Sequence, residues 1–239
     1  MGLFAKNNTR PYTAAVIPAA GSSSRMRGTD KLFVPLLGLP VIARTLSAFQ
    51  ACGYIDEIVV VTSGDLILPI SDVCKEYGIT KATQILLGGE TRTRSVYNGL
   101  MSLPAKAEFA AVHDGARPLI TPELISDTVK HAYKDGAAAP VVELRDTVKR
   151  VNGEVITATV DRGSLAAVQT PQVFQLGLIK GALTKALSEN WVLTDDTAAL
   201  ERLGMRIRSV PGRHDNIKIT VPEDIFIAEA LLSARGIIN

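Results

Sequence analysis

The stretch AAVIPAAGSSSRMRGTDK, from Ala14 to Lys31, is the one around which the chain is organised. Tyr12 to Ile17 is a short apolar run of the kind that makes a buried strand. The chain then passes through Ala19, Ala20 and Gly21, residues with almost no side chain, so a ligand can approach the main chain closely. Ser22, Ser23 and Ser24 add hydroxyl donors, while Arg25 and Lys31 bring positive charge. Backbone amides in such a loop can face phosphate oxygens, and the cations match the charge of a polyphosphate. An ordinary strand-to-helix turn with solvated cations has the same composition, so the loop alone leaves both readings open.

Working outward, strands and helices alternate. Leu39-Pro40 leads into VIARTLSAFQAC, where Ile42, Leu46 and Phe49 recur at helical spacing, with Pro40 in the first turn and Gly53 at the stop. Glu57 to Val61 reads as a buried strand, LILPISDVCKEY as a second helix, and Thr83 to Leu87 as another strand. Gly88-Gly89-Glu90 then precedes a helix whose stripe is Val96, Leu100 and Leu103. Phe109 to His113 is the next strand; it ends in Asp114-Gly115-Ala116-Arg117-Pro118, and Thr121-Pro122-Glu123 starts a helix that runs towards Gly136. In open α/β sheets ligands bind at the C-terminal ends of the strands, which makes Asp114 and Arg117 site candidates beside the first loop.

After a strand at Ala137 to Val142 the pattern changes. RDTVKRV, Asn152-Gly153 and EVITATV form a hairpin signal, for which a type I′ turn with positive φ at both central residues is the expectation. It could be a solvent-exposed excursion or an arm that reaches a partner chain. VQTPQVF reads as a loop, QLGLIKGALTKALS as a helix, and Thr194-Asp195-Asp196 as a structural cap. MRIRSV and Ile217 to Thr220 read as strands, and Val221-Pro222-Glu223-Asp224 opens the last helix. No repeat or linker interrupts the chain, so one domain over residues 1–239 is expected, carrying an arm at about 144–162.

Composition narrows the function. Of the 239 residues, 46% are hydrophobic and 21% charged, a globular balance, and the net charge of +2 gives no argument for nucleic acid. Cys52 and Cys74 lack metal-type spacing, and the absence of a long apolar run predicts a soluble, cytoplasmic protein without a membrane partner. The sequence has no GxxxxGK[ST] loop, no GxGxxG fingerprint and no GxSxG elbow, and its three histidines are scattered, so hydride transfer, esterase and zinc chemistry lose ground. His113, at a strand end, reads as an interior hydrogen-bonding residue.

What remains is cations and carboxylates around a phosphate loop. PAAGSSSRM with Lys31 downstream, then GGETRTRSV, HDGARP, RDTVKR, TVDR, QTPQ and RHDNIKITVPED, run in the order of one family. The chain resembles the 2-C-methyl-D-erythritol 4-phosphate cytidylyltransferases of the non-mevalonate isoprenoid pathway from Tyr12 onward. The resemblance implies an α/β fold, a Rossmann-like nucleotidyltransferase sheet, and a homodimer built through the hairpin arm. It implies CTP and methylerythritol phosphate as substrates and Mg²⁺ held mainly by the CTP phosphates, with no protein metal ligands. Arg25, Lys31 and Lys218 match the catalytic cations. Ala19, Ala20, Gly21, Gly89, Glu90, Ser95 and Asp114 match the nucleotide site, and Arg117, Thr147, Arg162 and Thr170 the alcohol-phosphate site, Thr147 and Arg162 arriving from the partner. The loop departs from the family in having Ser23 and Ser24 where a second glycine is usual. A related cytidylyltransferase acting on ribitol 5-phosphate is the neighbouring alternative, and a non-catalytic nucleotide-binding regulator a more distant one.

Overall fold

The computed structural model describes residues 10–21 and 30–237. Strand β1, Thr13–Pro18, lies at the centre of the sheet, paired in parallel with β4, Glu57–Thr62, on one side and β6, Phe109–Val112, on the other. Beyond β4 lies parallel β5, Ala82–Leu87. Two short strands, β2 Pro35–Leu36 and β3 Leu39–Pro40, form a small ribbon before helix α1, Val41–Ala51. Pro40 is the residue that caps α1 rather than its first helical residue. Helices α2, Ile67–Glu76, and α3, Arg92–Ser102, provide the crossovers around β4 and β5.

Past β6 come α4, Pro122–Asp135, and β7, Ala137–Glu143. The end of α4 follows its sequence: Thr121 accepts from the Leu124 amide, and Gly136 at φ 82° takes the left-handed stop that a Cβ disfavours. VQTPQVF is not a loop. Val168 ends β10, Ala166–Val168, while β11, Gln172–Gln175, is inserted antiparallel between β6 and β7. Pro171, joined to Thr170 by a cis bond, and the flanking glutamines hide a strand whose Val173 and Phe174 are fully buried. Helices α5, Leu176–Ser188, and α6, Thr197–Glu201, follow, then β12, Arg208–Pro211, parallel to β7, and α7, Glu223–Ala234. Ile217 to Thr220, expected as a strand, joins no ladder; its Ile219 amide donates to the Ala116 carbonyl at 2.8 Å.

Alternation along the strands divides the core. Ala15, Ile17, Ile58 and Val60 pack with α1, α2 and α4 on one face. On the other, Ala14, Val16, Val59 and Val61 meet α3 and α5. Helix α3 lies close because Gly99 has no side chain: a Cβ there would stand 2.5 Å from Val16 Cγ1 and 2.8 Å from Val61 Cγ2.

The hairpin consists of β8, Lys149–Asn152, and β9, Val155–Thr159, a ribbon separate from the main sheet and exposed throughout. Its turn differs from the expected type I′. Asn152 is paired with Val155, so the central residues are Gly153 and Glu154, and of these Gly153 alone has positive φ, at 56°. A glycine at the first central position is the type II′ arrangement. No helix among the described residues is long and apolar enough to cross a membrane.

Candidate active site

The C-terminal ends of β1, β5 and β6 converge on one cavity of about 360 Å³. Each loop is held at the edge of the sheet by its neighbour. The Ala19 amide donates to the Val61 carbonyl at 2.7 Å, the Gly88 amide to Thr62 at 2.8 Å, and the Gly115 amide to Pro18 at 3.2 Å. Small residues let these loops close together. A Cβ at Gly88 would stand 2.8 Å from Ser95 Oγ and 3.2 Å from Ala20 Cβ. Ser95 Oγ accepts from the Gly89 amide and donates to the Thr91 carbonyl, both at 3.0 Å, tying the loop to the start of α3. Thr91 caps that helix, so its free amides and positive dipole end face the cavity.

Charge is gathered around one carboxylate. Asp114 is 9% exposed, and Lys218 Nζ reaches its Oδ2 at 2.9 Å. Arg92 Nη2 lies 3.4 Å from Oδ1 and Arg117 Nε 3.7 Å from Oδ2. Burial by itself would raise the Asp114 carboxyl, but Arg92, Lys218 and Arg117 outweigh it and hold it well below the usual carboxylate range. Arg92 also forks onto the buried Asp196 at 2.8 and 3.0 Å, so one guanidinium spans two acids. Its burial opposes the charge, yet Asp196 and Asp114 together raise its pKa.

Behind Asp114 sits His113, fully buried against the Phe49 ring. Its Nε2 faces the Arg117 carbonyl at 3.4 Å, which can only accept, so Nδ1 is the acceptor for the Thr170 hydroxyl at 2.9 Å. Thr170 Oγ1 in turn accepts from the Asp114 amide at 3.2 Å. Burial depresses the imidazole to about 3 despite Asp114, which keeps it neutral at ordinary pH.

A family model described as 2-C-methyl-D-erythritol 4-phosphate cytidylyltransferase matches residues 13–234. The enzyme of that name from Halalkalibacterium halodurans is 41% identical over 223 residues, which are 93% of this chain and 97% of the relative. The one from Desulforamulus reducens is 44% identical over 226 residues, 93% of this chain and 96% of its own. Among solved structures, the 4-diphosphocytidyl-2C-methyl-D-erythritol synthase of Anaerococcus prevotii has a TM-score of 0.83 at 31% identity, covering 93% of this chain and 99% of that one. The chain belongs to the 2-C-methyl-D-erythritol 4-phosphate cytidylyltransferase family.

Within this cytidylyltransferase fold, the residues singled out from the sequence separate into groups. Lys31, Ala19, Ala20, Gly21, Gly89, Glu90, Ser95, Asp114 and Lys218 line the cavity. Arg25 lies outside the described residues, as do Ser22, Ser23 and Ser24. Arg117 and Thr170 do not line the cavity. The Arg117 guanidinium is turned towards the Asn216 carbonyl, to which Nη1 donates at 2.7 Å, and the Thr170 hydroxyl is committed to His113 and Asp114. Thr147 is exposed and so is Arg162, whose Nη1 donates to the Arg145 carbonyl; neither lines the cavity of its own chain.

Sequence reasoning missed Arg92, which lines the cavity, and Asp196, which holds it. A signal for Arg92 was present. A cation in the first turn of a helix works against the dipole unless a carboxylate claims it.

Proposed function

We propose that this cytidylyltransferase transfers CMP from CTP to 2-C-methyl-D-erythritol 4-phosphate and releases pyrophosphate. The observation that carries the reading is a cavity floored by small residues and rimmed by Lys31, Arg92 and Lys218 around Asp114, in a chain of this family. An oxygen of the alcohol's phosphate attacks the α-phosphorus of CTP. A new P–O bond forms, the α–β bridging bond breaks, and its electron pair leaves on pyrophosphate. A phosphate dianion has no proton to surrender, so the reaction needs no general base. That suits a site whose His113 is buried, neutral and occupied by internal hydrogen bonds. The chain contributes position and charge: Lys31 and Lys218, with Arg25, meet the phosphates, the loop amides at Ala19 to Gly21 and Gly89 approach the nucleotide, and Glu90, Ser95 and Asp114 bound its pocket.

The acidic groups fit a divalent cation brought in by the nucleotide rather than one bound beforehand. No cluster of three His, Cys, Asp or Glu side chains able to hold a metal occurs among the described residues, and Asp114 is already engaged by three cations. Held mainly by the CTP phosphates, Mg²⁺ would keep most of its water and take at most one carboxylate, a role open to Glu90 on the cavity wall. Bound there, it would neutralise phosphate charge.

The arm completes the reading. Val151, Val155 and Ile156 are each 63% exposed on an isolated two-stranded ribbon, an arrangement unstable in water unless covered. A second copy of the chain covers it in our reading, forming a homodimer in which Thr147 and Arg162 meet the alcohol phosphate of the partner's site, with Arg117 and Thr170 shaping that end from behind. We place the enzyme in the cytoplasm. Purified protein with CTP and Mg²⁺ should release pyrophosphate with methylerythritol phosphate and not with ribitol 5-phosphate. Release with ribitol 5-phosphate alone, or with neither alcohol, overturns the assignment.

A further inference from the structure

Two buried amides outside the cavity hold the turn that leads to Lys218, and Thr170, next to one of them in the chain, holds Asp114. Asn216 is fully buried, and its Nδ2 donates to Gln169 Oε1 at 3.3 Å and to the Thr170 carbonyl at 3.1 Å. Gln169, 6% exposed, spans the turn that precedes Lys218: its Nε2 donates to the Arg213 carbonyl at 2.8 Å, and its Oε1 accepts from the Arg213 amide at 3.3 Å. The turn is closed by the Asn216 amide on the Arg213 carbonyl at 3.0 Å. Its start is fixed as well, since a Cβ at Gly212 would stand 2.8 Å from both Gln169 Oε1 and the Val141 carbonyl.

The next residue along the same segment, Thr170, holds the Asp114 amide through its hydroxyl and Asn216 through its carbonyl. Gln169-Thr170 therefore fixes Asp114 from one side and the root of Lys218 from the other. The interior it occupies is costly for polar groups: Asn216 Oδ1 and Arg117 Nε are buried without a hydrogen-bond partner, the latter keeping only its long ion pair with Asp114. An apolar filling would pack this region without that cost, but it could not dictate where the turn sits.

We infer that Gln169 and Asn216 are positioning residues for Lys218 in the transfer reaction, acting on the ammonium through the 213–216 turn. This rests on the function proposed above. The test is a double-mutant cycle, with Asn216→Ser and Gln169→Met each made in the wild type and in Lys218→Ala, read as kcat/KM for pyrophosphate release and separately as CTP affinity by calorimetry. Each single variant should lower kcat/KM by about 10-fold or more in the wild type and by less than about 3-fold in Lys218→Ala, because the group it positions is gone. Equal losses in both backgrounds, in turnover or in CTP affinity, overturn the inference. Using two variants guards against one that fails to fold. An unmodified protein that binds CTP but releases no pyrophosphate refutes the functional reading, while the affinity cycle still decides the positioning.

Discussion

Replacing Arg92 by methionine keeps most of the side-chain length and removes the charge that spans Asp114 and Asp196. Asp196 is 1% exposed, and its carboxylate oxygens are held by the Arg92 fork at 2.8 and 3.0 Å. Removing one partner of a buried pair costs about 3–5 kcal/mol. With about a third of the Arg92 side chain open to solvent, the low end applies, about 3 kcal/mol. Urea unfolding followed by circular dichroism should show a midpoint lower by roughly 1 M. The deficit should also depend on pH. Burial already holds the Asp196 carboxyl above its usual range in the wild type despite Arg92, and removing Arg92 lets it rise further above its unfolded value. The native variant then holds a proton that the unfolded chain has released, and its deficit should shrink as pH falls from 7 towards 4. In Arg92→Met/Asp196→Leu, where no charge is stranded, most of the loss should return. A single variant within about 1 kcal/mol of wild type, or a double variant no more stable than the single, refutes the reasoning.

Lys31→Ala should lower kcat by about 100-fold or more while the thermal midpoint moves by less than about 3 °C, since a cavity-rim cation contributes to charge stabilisation more than to packing. Gly99→Ala should destabilise by about 1–3 kcal/mol in thermal unfolding, because the clash with Val16 and Val61 exceeds the gain in helix propensity. His113, held neutral with a folded pKa of about 3, should give an imidazole NMR signal that does not titrate between pH 5 and 8. Its contribution to stability is present above the unfolded value near 6.5 and is lost as pH falls towards 3, so His113→Asn should flatten the acid limb of the stability profile. If the arm completes the partner's site, mixing Arg162→Ala with Lys218→Ala, each strongly impaired but measurable alone, should restore about a quarter of wild-type turnover, because half the dimers are mixed and each mixed dimer has one intact site. No recovery after exchange of subunits would place Arg162 elsewhere.

The fold was legible where one residue type repeats and hidden where two signals compete. β1 and β4 carry the uninterrupted apolar runs AAVI and IVVV and read directly as buried parallel strands. β11 shares its segment with Pro171 and Gln172, whose turn-like character masks Val173 and Phe174, although those two residues are as buried as any in the core. Ile217 to Thr220 fails in the opposite way. Its Ile219 is fully buried and suggests a strand, but burial comes from packing while a strand needs a ladder, and the bond from the Ile219 amide to the Ala116 carbonyl extends into no ladder among the described residues. The hairpin was legible as a hairpin, and its turn was not, because register across the whole ribbon places Asn152 in a pair and moves the turn onto Gly153-Glu154.

The same division runs through the site. Ala19, Gly89 and Asp114 follow strand ends, and in a parallel sheet all such ends open on one edge, so position in the sequence carries their position in space. Arg117 and Thr170 are different. The Arg117 amide bonds to the Asp114 carbonyl at 3.1 Å, a turn that folds the chain back and carries the guanidinium onto Asn216, behind the carboxylate rather than in front of it. Thr170 lies in the same layer, its hydroxyl spent on Asp114 and His113. A side chain that touches a phosphate and one that holds the group touching it need the same polar chemistry, so a motif of letters cannot separate them. What separates them is burial: Asn216, Gln169 and Thr170 are all closed from solvent, whereas Lys218, the group they surround, keeps 41% of its side chain open to the cavity and solvent.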